Sequence, residues 1–229
     1  MAYGLKSFII FFKKVNFYPQ KNMTMKKTIS CMNIDENTLR SFGGENVRYK
    51  SKEFIFKEGE HSLYYFQIIS GKVKLNTFHE SGKEFIQNIL GKNQSFGDPL
   101  LFIDRLYPTN AVSLEATELI RMPKSNFLEM LEKNPDISLE MNACLSQRLY
   151  YNSLMVRNMA SQDPIHRLQG LMEYLKSYYD GDCQQCFPVE LTRQQIADLT
   201  GLRVETVIRT VKKMVNNQTI KLDGRKILY

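Results

Sequence analysis

The chain has 229 residues, of which 43% are hydrophobic and 24% charged, with a formal net charge of +7. That length suits one large or two small domains with a packed core, and the basic balance makes a polyanion a plausible partner. No run reaches the roughly 18 apolar residues of a membrane span, and the four cysteines, Cys31, Cys144, Cys183 and Cys186, do not make a secreted disulfide framework.

Residues 1–27 read as a basic extension carrying Lys6, Lys13, Lys14, Lys21, Lys26 and Lys27. Phe8–Phe12 is apolar but short, with no small-residue cleavage site after it, so no signal peptide is expected. Met23 and Met25 follow soon after, which suggests an upstream start codon, a basic arm touching phosphates or a partner being the other reading.

From Asn46 to about Met122 short apolar runs alternate with turn residues: Phe54–Phe56, Tyr64–Ile69, Lys72–Leu75 and Phe85–Leu90. Gly59, Gly71, Gly82, Gly91 and Gly97 punctuate them about every ten residues, the rhythm of an antiparallel sandwich or barrel. His79-Glu80-Ser81-Gly82 predicts a hairpin tip.

After Pro123 the pattern becomes helical. Ser125–Leu131 forms a short amphipathic helix, and Asn134-Pro135-Asp136 ends it and starts a long one. Leu139, Leu145, Leu149, Met155 and Met159 stay near one face of that helix, widened by Tyr151 and Val156, which makes it a candidate dimer seam. Asp163-Pro164 marks its end.

Cys183-Gln-Gln-Cys186 follows in an expected loop after Asp180-Gly181-Asp182. A C-x-x-C can be inert, redox-active or half of a metal site, and no second ligand pair stands nearby. No metal site is expected.

Leu191–Ile220 is the most specific stretch. Thr192 with Gln195 forms a capping-box pattern, Ile196 and Leu199 give an apolar face, and Gly201 supplies a tight turn. A second helix follows, with Val204, Val207, Ile208, Val211 and Val215 expected as its inward stripe. Its charged face carries Glu205, Arg209, Lys212 and Lys213. This is a helix-turn-helix, which seats its second helix in the DNA major groove. Lys221–Tyr229 reads as two short strands around Asp223-Gly224, a wing.

Taken together, Gly59-Glu60, Gly71-Lys72-Val73, Phe96-Gly97-Asp98, Asn134-Pro135-Asp136, the Arg148–Arg167 helix and hinge, and Leu191–Ile220 resemble the Crp/Fnr family of regulators. The resemblance covers nearly everything after Thr28. It implies an α+β fold: an N-terminal antiparallel β-barrel (jelly-roll, cyclic-nucleotide-binding-like) sensor domain over 28–134, a dimerisation helix over 135–163, and a C-terminal winged helix-turn-helix over 164–229.

The family's pocket maps onto Gly97, Asp98, Thr109, Asn152 and Ser153 as candidate effector contacts. Cyclic AMP binders place Gly-Glu where this chain has Gly97-Asp98, and Arg where it has Pro108. Proline offers no charge and no N–H, Arg105 stands three residues upstream, and the signal is expected not to be cyclic AMP. Thiolates for an iron–sulfur cluster are lacking near the N-terminus, where Cys31 stands alone. His61, His79 and His166 are expected in exposed turns or at the hinge rather than as haem ligands, so no obligatory cofactor is predicted.

The resemblance implies that Arg203, Val204, Glu205 and Arg209 read bases, while Thr192, Arg193, Gln194 and Lys212 grip phosphate. Ile208 departs from the fumarate-nitrate pattern, which has Ser there. The expected partners are double-stranded DNA, a second copy of the chain and, for an activator, RNA polymerase, in the cytoplasm. Asp163 and His166 lack a third partner, and no enzyme constellation is recognisable. The competing reading is a cyclic-nucleotide or redox sensor acting through protein contacts, with a vestigial helix-turn-helix.

Overall fold

A computed structural model describes residues 33–177 and 187–229. The basic extension, Cys31 and the Cys183–Cys186 pair lie outside these residues.

A short helix, α1 (Glu36–Ser41), is capped by Asp35, which accepts a hydrogen bond from the Thr38 N–H. Eight strands follow: β1 (Glu45–Tyr49), β2 (Phe54–Phe56), β3 (Tyr64–Ser70), β4 (Val73–Phe78), β5 (Glu84–Leu90), β6 (Ser95–Phe96), β7 (Asn110–Ser113) and β8 (Thr117–Pro123). They form two four-stranded antiparallel sheets, ordered β1-β8-β3-β6 and β2-β7-β4-β5. The two sheets face each other as a jelly roll, without a closed ring of hydrogen bonds.

The expected hairpin tip joins β4 to β5, where the His79 N–H donates to Lys83 O at 2.9 Å and Gly82 takes a φ of 76°. Between the sheets lie Phe56, Phe66, Ile68, Val73, Phe96 and Leu119. Phe66 and Phe96 stack at 5.1 Å.

Pro123 ends the last strand and two helices follow, α2 (Lys124–Lys133) and the long α3 (Pro135–Ala160). Pro135 occupies the first turn of α3, where a missing N–H costs nothing. α1, α2 and the start of α3 pack on the outer face of the first sheet through Leu39, Tyr65, Ile120, Met122, Phe127 and Met141. The buried Gln67 side chain bonds both the N–H and the carbonyl of Ile34, tying the start of the described chain to β3.

Asp163 caps α4 (Pro164–Lys176) by accepting from the Ile165 N–H at 2.9 Å. Then come β9 (Pro188–Val189), α5 (Arg193–Thr200), α6 (Val204–Asn216), β10 (Lys221–Asp223) and β11 (Lys226–Leu228). β10, β11 and β9 make the three-stranded wing sheet. The core of this part holds Leu168, Leu171, Ile196, Val207, Val211 and Met214, and Ile86 of β5 packs into it.

Gly71, between β3 and β4, has φ +90°, and a Cβ built there would meet Thr117 Oγ1 at 2.5 Å and Ala116 O at 2.7 Å. Gly71→Ala adds both a left-handed strain and a backbone clash, so it is expected to cost about 1–3 kcal/mol. A urea denaturation midpoint equal to that of the wild type would show that the turn relaxes freely.

Candidate nucleic-acid interface and sensor cavity

The helix-turn-helix is built as its local chemistry requires. Thr192 and Gln195 form a complete capping box at the start of α5, and Gly201 closes that helix in the left-handed conformation, φ 69°. The Leu202 N–H reaches back to Ala197 O at 3.1 Å, turning the chain into α6.

Along α6 the buried positions are Val207, Thr210, Val211 and Met214. Their spacing is that of one helix face. Val204 and Val215 are half-buried. Ile208 does not join the inward stripe: its side chain is 42% exposed. One residue past Val207 is a turn of about 100° about the helix axis, and that carries Ile208 onto the outer face with Glu205, Arg209 and Lys212, all exposed. The outer face thus places an apolar side chain amid a carboxylate, a guanidinium and an ammonium. These groups can accept from cytosine, fork onto guanine, neutralise phosphate and contact a thymine methyl.

The phosphate candidates are arranged less uniformly. Thr192 is exposed, and its hydroxyl oxygen accepts the capping hydrogen bond from the Gln195 N–H. Gln194 donates to Asp198 at 2.9 Å, and Arg193 reaches the Arg225 carbonyl in the wing at 3.4 Å. Burial, chiefly, raises the Asp198 carboxyl above its usual value; the Gln194 hydrogen bond opposes the rise and Glu84 adds to it.

Glu84 belongs to the sheet domain, and its presence reflects a contact between the two parts of the chain. Lys83 Nζ donates to Gly201 O at 3.3 Å, Lys72 pairs with Glu190 at 3.0 Å, and Asn88 donates to the Tyr174 hydroxyl at 3.0 Å. The β4–β5 hairpin therefore stands against the helix-turn-helix. Lys83 and Glu84 share a crevice with Gln194, Arg203, Val204 and Glu205. Three of the four base-reading candidates face the protein's own hairpin in this arrangement.

A cavity of about 970 Å³ lies between the jelly roll and α3. Gly97, Thr109 and Asn152 line it. Asp98 sits immediately beside it, fully buried. Ser153 is exposed, bonds Leu149 O, and is not part of the lining. Arg105 is exposed and likewise outside the lining.

Sequence reasoning did not identify Arg148 as a partner for Asp98. From α3, its Nη1 donates to both Asp98 oxygens at 2.9 Å, and its Nη2 donates to the Ser95 carbonyl and hydroxyl at 2.9 Å. Near the same end of the cavity the Tyr107 ring stacks on Phe56 at 3.6 Å. Burial, chiefly, raises its hydroxyl above the ordinary phenol value. The Tyr64 backbone lies near enough to oppose that rise without reaching hydrogen-bond geometry.

His61, His79 and His166 are all exposed and outside the cavity. Among the described residues no cluster of three or more His, Cys, Asp or Glu could hold a metal ion, and no helix is long and apolar enough to cross a membrane.

Two family models match the chain: the cyclic nucleotide-binding domain over residues 46–134, and the Crp-like helix-turn-helix domain over residues 166–229. The chain belongs to the Crp/Fnr family. It is a transcription regulator of that family with a helix-turn-helix DNA-binding domain. Its relatives include the cAMP-activated global transcriptional regulator CRP of Haemophilus influenzae, 28% identical over 79% of this chain and 82% of the relative. The global nitrogen regulator of a Nostoc species is 26% identical over 78% and 82%. Among solved structures, a CooA mutant from Carboxydothermus hydrogenoformans superimposes with a TM-score of 0.70 at 19% identity, covering 89% of this chain and 93% of that one. FixK2 from Bradyrhizobium japonicum gives 0.68 at 17%, covering 81% and 91%. These two likenesses show the Crp/Fnr fold.

The Arg148–Asp98 pair makes a direct energetic prediction. Arg148→Met strands a fully buried carboxylate and is expected to cost about 3–5 kcal/mol. In the double variant Arg148→Met/Asp98→Asn the stranded charge is gone, and most of that loss should return. If chemical denaturation showed the double variant as unstable as the single, the pair would not be what stabilises this junction.

Proposed function

We propose that this Crp/Fnr regulator binds a near-palindromic DNA site as a homodimer, and that its signal is not cyclic AMP. The observation that carries the DNA reading is the outer face of α6, where Glu205, Ile208, Arg209 and Lys212 stand together and exposed on a capped, well-packed helix. Arg203, Val204, Glu205 and Arg209 read base edges, and Ile208 is added to that set as an apolar contact for a thymine methyl. Thr192, Arg193, Gln194 and Lys212 position the backbone through phosphate.

The dimer reading is supported by α3. Leu149 and Val156, seven residues apart, are each 68% exposed, and Leu139 is 57% exposed on the same helix. Seven-residue spacing of exposed apolar groups is what a helix pair buries. Two copies would present two recognition helices to half-sites about one helical turn, or about 34 Å, apart. We divide the protein into a sensor domain over 28–134, a dimerisation helix over 135–163 and a DNA-binding domain over 164–229. It works in the cytoplasm, and as an activator it would meet RNA polymerase there.

The relatives named as cAMP-activated do not carry that signal to this chain. Its resemblance to them puts Pro108 where the cyclic phosphate meets an arginine, and Pro108 brings neither charge nor donor to the cavity mouth. The hairpin crevice adds a second element. Lys83 and Glu84 share a crevice with Arg203, Val204 and Glu205, so DNA seated on the start of α6 would meet the hairpin, and binding is expected to open that contact.

Selection of bound sequences from a random duplex pool, with and without cyclic AMP, tests this reading. A palindromic motif recovered without nucleotide is the expected result. A motif that appears only with cyclic AMP would overturn the reading of Pro108, and no specific, salt-dependent binding would favour a sensor that acts through protein contacts.

On that motif, Arg209→Ala should abolish discrimination at one G·C pair per half-site. Ile208→Ser should relax preference at one T, and Lys212→Ala should weaken all sequences alike. An unchanged motif for Arg209→Ala would show that α6 is docked differently. Ile86→Glu, which removes the apolar peg between hairpin and helix-turn-helix, should raise affinity for the selected motif. A measured loss of affinity, in a variant that retains its circular dichroism, would contradict the opening requirement.

A further inference from the structure

The cavity beside α3 is mostly apolar. Its walls include Leu75, Leu90, Phe96, Leu100, Leu131 and Leu145. Two side chains of the acidic and basic types line it, Glu132 and Arg148. The Arg148 guanidinium is already answered: both terminal nitrogens are held by Asp98 and Ser95 at 2.9 Å. An anion entering this space would meet one cation whose charge is matched by a fully buried carboxylate, and a second carboxylate farther along the wall. The lining offers such an anion neutral hydrogen-bonding groups, Thr109 and Asn152 among them, but no unmatched positive charge to offset the cost of leaving water.

One fully buried polar atom there is still open. Among the described residues, the buried side-chain polar atoms without a hydrogen bond are Asn76 Oδ1 and the Tyr107 hydroxyl, and of these two residues Tyr107 lines the cavity. Tyr107 is 4% exposed. Its ring is held by the Phe56 stack, and a Cβ built on Gly97 would approach its hydroxyl at 3.5 Å, so the absence of a side chain at Gly97 leaves the space around that hydroxyl clear. A buried hydroxyl left unpaired is costly, and a ligand that completes it gains that energy back.

We propose that the cavity takes an uncharged, predominantly apolar small molecule whose donor or acceptor group meets the Tyr107 hydroxyl, and that it rejects anions, cyclic nucleotides included. This rests on the reading of the cavity as the regulator's effector site and names the chemistry of what it accepts. Leu149 and Asn152 belong both to the cavity lining and to the exposed side of α3, so an occupant reaches the surface on which a second copy would pack.

Two fluorescent probes of one skeleton separate charge from shape. N-phenyl-1-naphthylamine is uncharged, apolar and carries one N–H; 8-anilino-1-naphthalenesulfonate adds a sulfonate. Titrated into the full chain, the uncharged probe should bind at one per chain, about tenfold or more tighter than the anionic one, with no displacement by cyclic AMP. Tyr107→Phe should weaken the uncharged probe about fivefold, the scale of one hydrogen bond. Pro108→Arg, on the exposed mouth, should narrow the gap between the probes by strengthening the anionic one.

Equal or tighter binding of the sulfonate, displacement by cyclic AMP, or no binding of the uncharged probe would each overturn the proposal. So would an unchanged affinity in Tyr107→Phe. The wild-type comparison stands even if a variant fails to fold. The DNA selection is read separately: a recovered motif with a failed probe test removes the ligand class and leaves the regulator, whereas a missing motif counts against the DNA reading itself.

Discussion

The junction between Arg148 and Asp98 is the interaction on which the rest of the arrangement depends. A carboxylate with no exposed surface is stable as an anion only if its charge and lone pairs are answered, and here a single guanidinium does both while also holding Ser95. The partner comes from the middle of α3, so answering Asp98 fixes the long helix against β6 and the turn after it. That placement makes α3 one wall of the cavity, and it leaves Leu149 and Val156 exposed along the helix. The pair thus holds together the sensor domain, the cavity and the proposed seam.

β5 is the second shared element, and it joins the sensor to the DNA-binding part. Gln87, Asn88 and Leu90 line the cavity, while Ile86 and Ile89 pack on the core of the winged helix. Asn88 also bonds Tyr174, itself part of the cavity lining. A short strand that serves two cores cannot shift for one without disturbing the other, because packed interiors have little free volume to absorb the change. The hairpin at its start stands against Arg203, Val204 and Glu205. Occupancy of the cavity and the freedom of α6 therefore act on the same strand.

The effector chemistry and the DNA chemistry are set by opposite electrostatics. On α6 the charges are exposed and spread over one face, where water keeps them available for bases and phosphates. Inside the cavity the same residue type, arginine, is half-buried and already paired, so it contributes structure rather than an open charge. Composition alone does not distinguish these two roles.

Elements whose signals are local can be read from the order of residues alone. The capping box at Thr192, the turn at Gly201, the break at Pro135, the hairpin at His79–Gly82 and the alternating strands are legible because each depends on neighbours a few residues away. Their order was enough to point to the family and to a DNA-binding second helix. Tertiary structure decided what depends on distant pairs. Arg148 and Asp98 are fifty residues apart, and no spacing rule marks them as partners. Ile208 shares helical spacing with Val204, Val207, Val211 and Val215, and only the packing of α6 on its own core, centred on Val207, Thr210, Val211 and Met214, left it facing out. Ile86 reads as an ordinary strand residue until the winged helix is set against it. Periodicity shows that a residue is apolar and which element it belongs to; which surface it meets is fixed only when the elements are packed together.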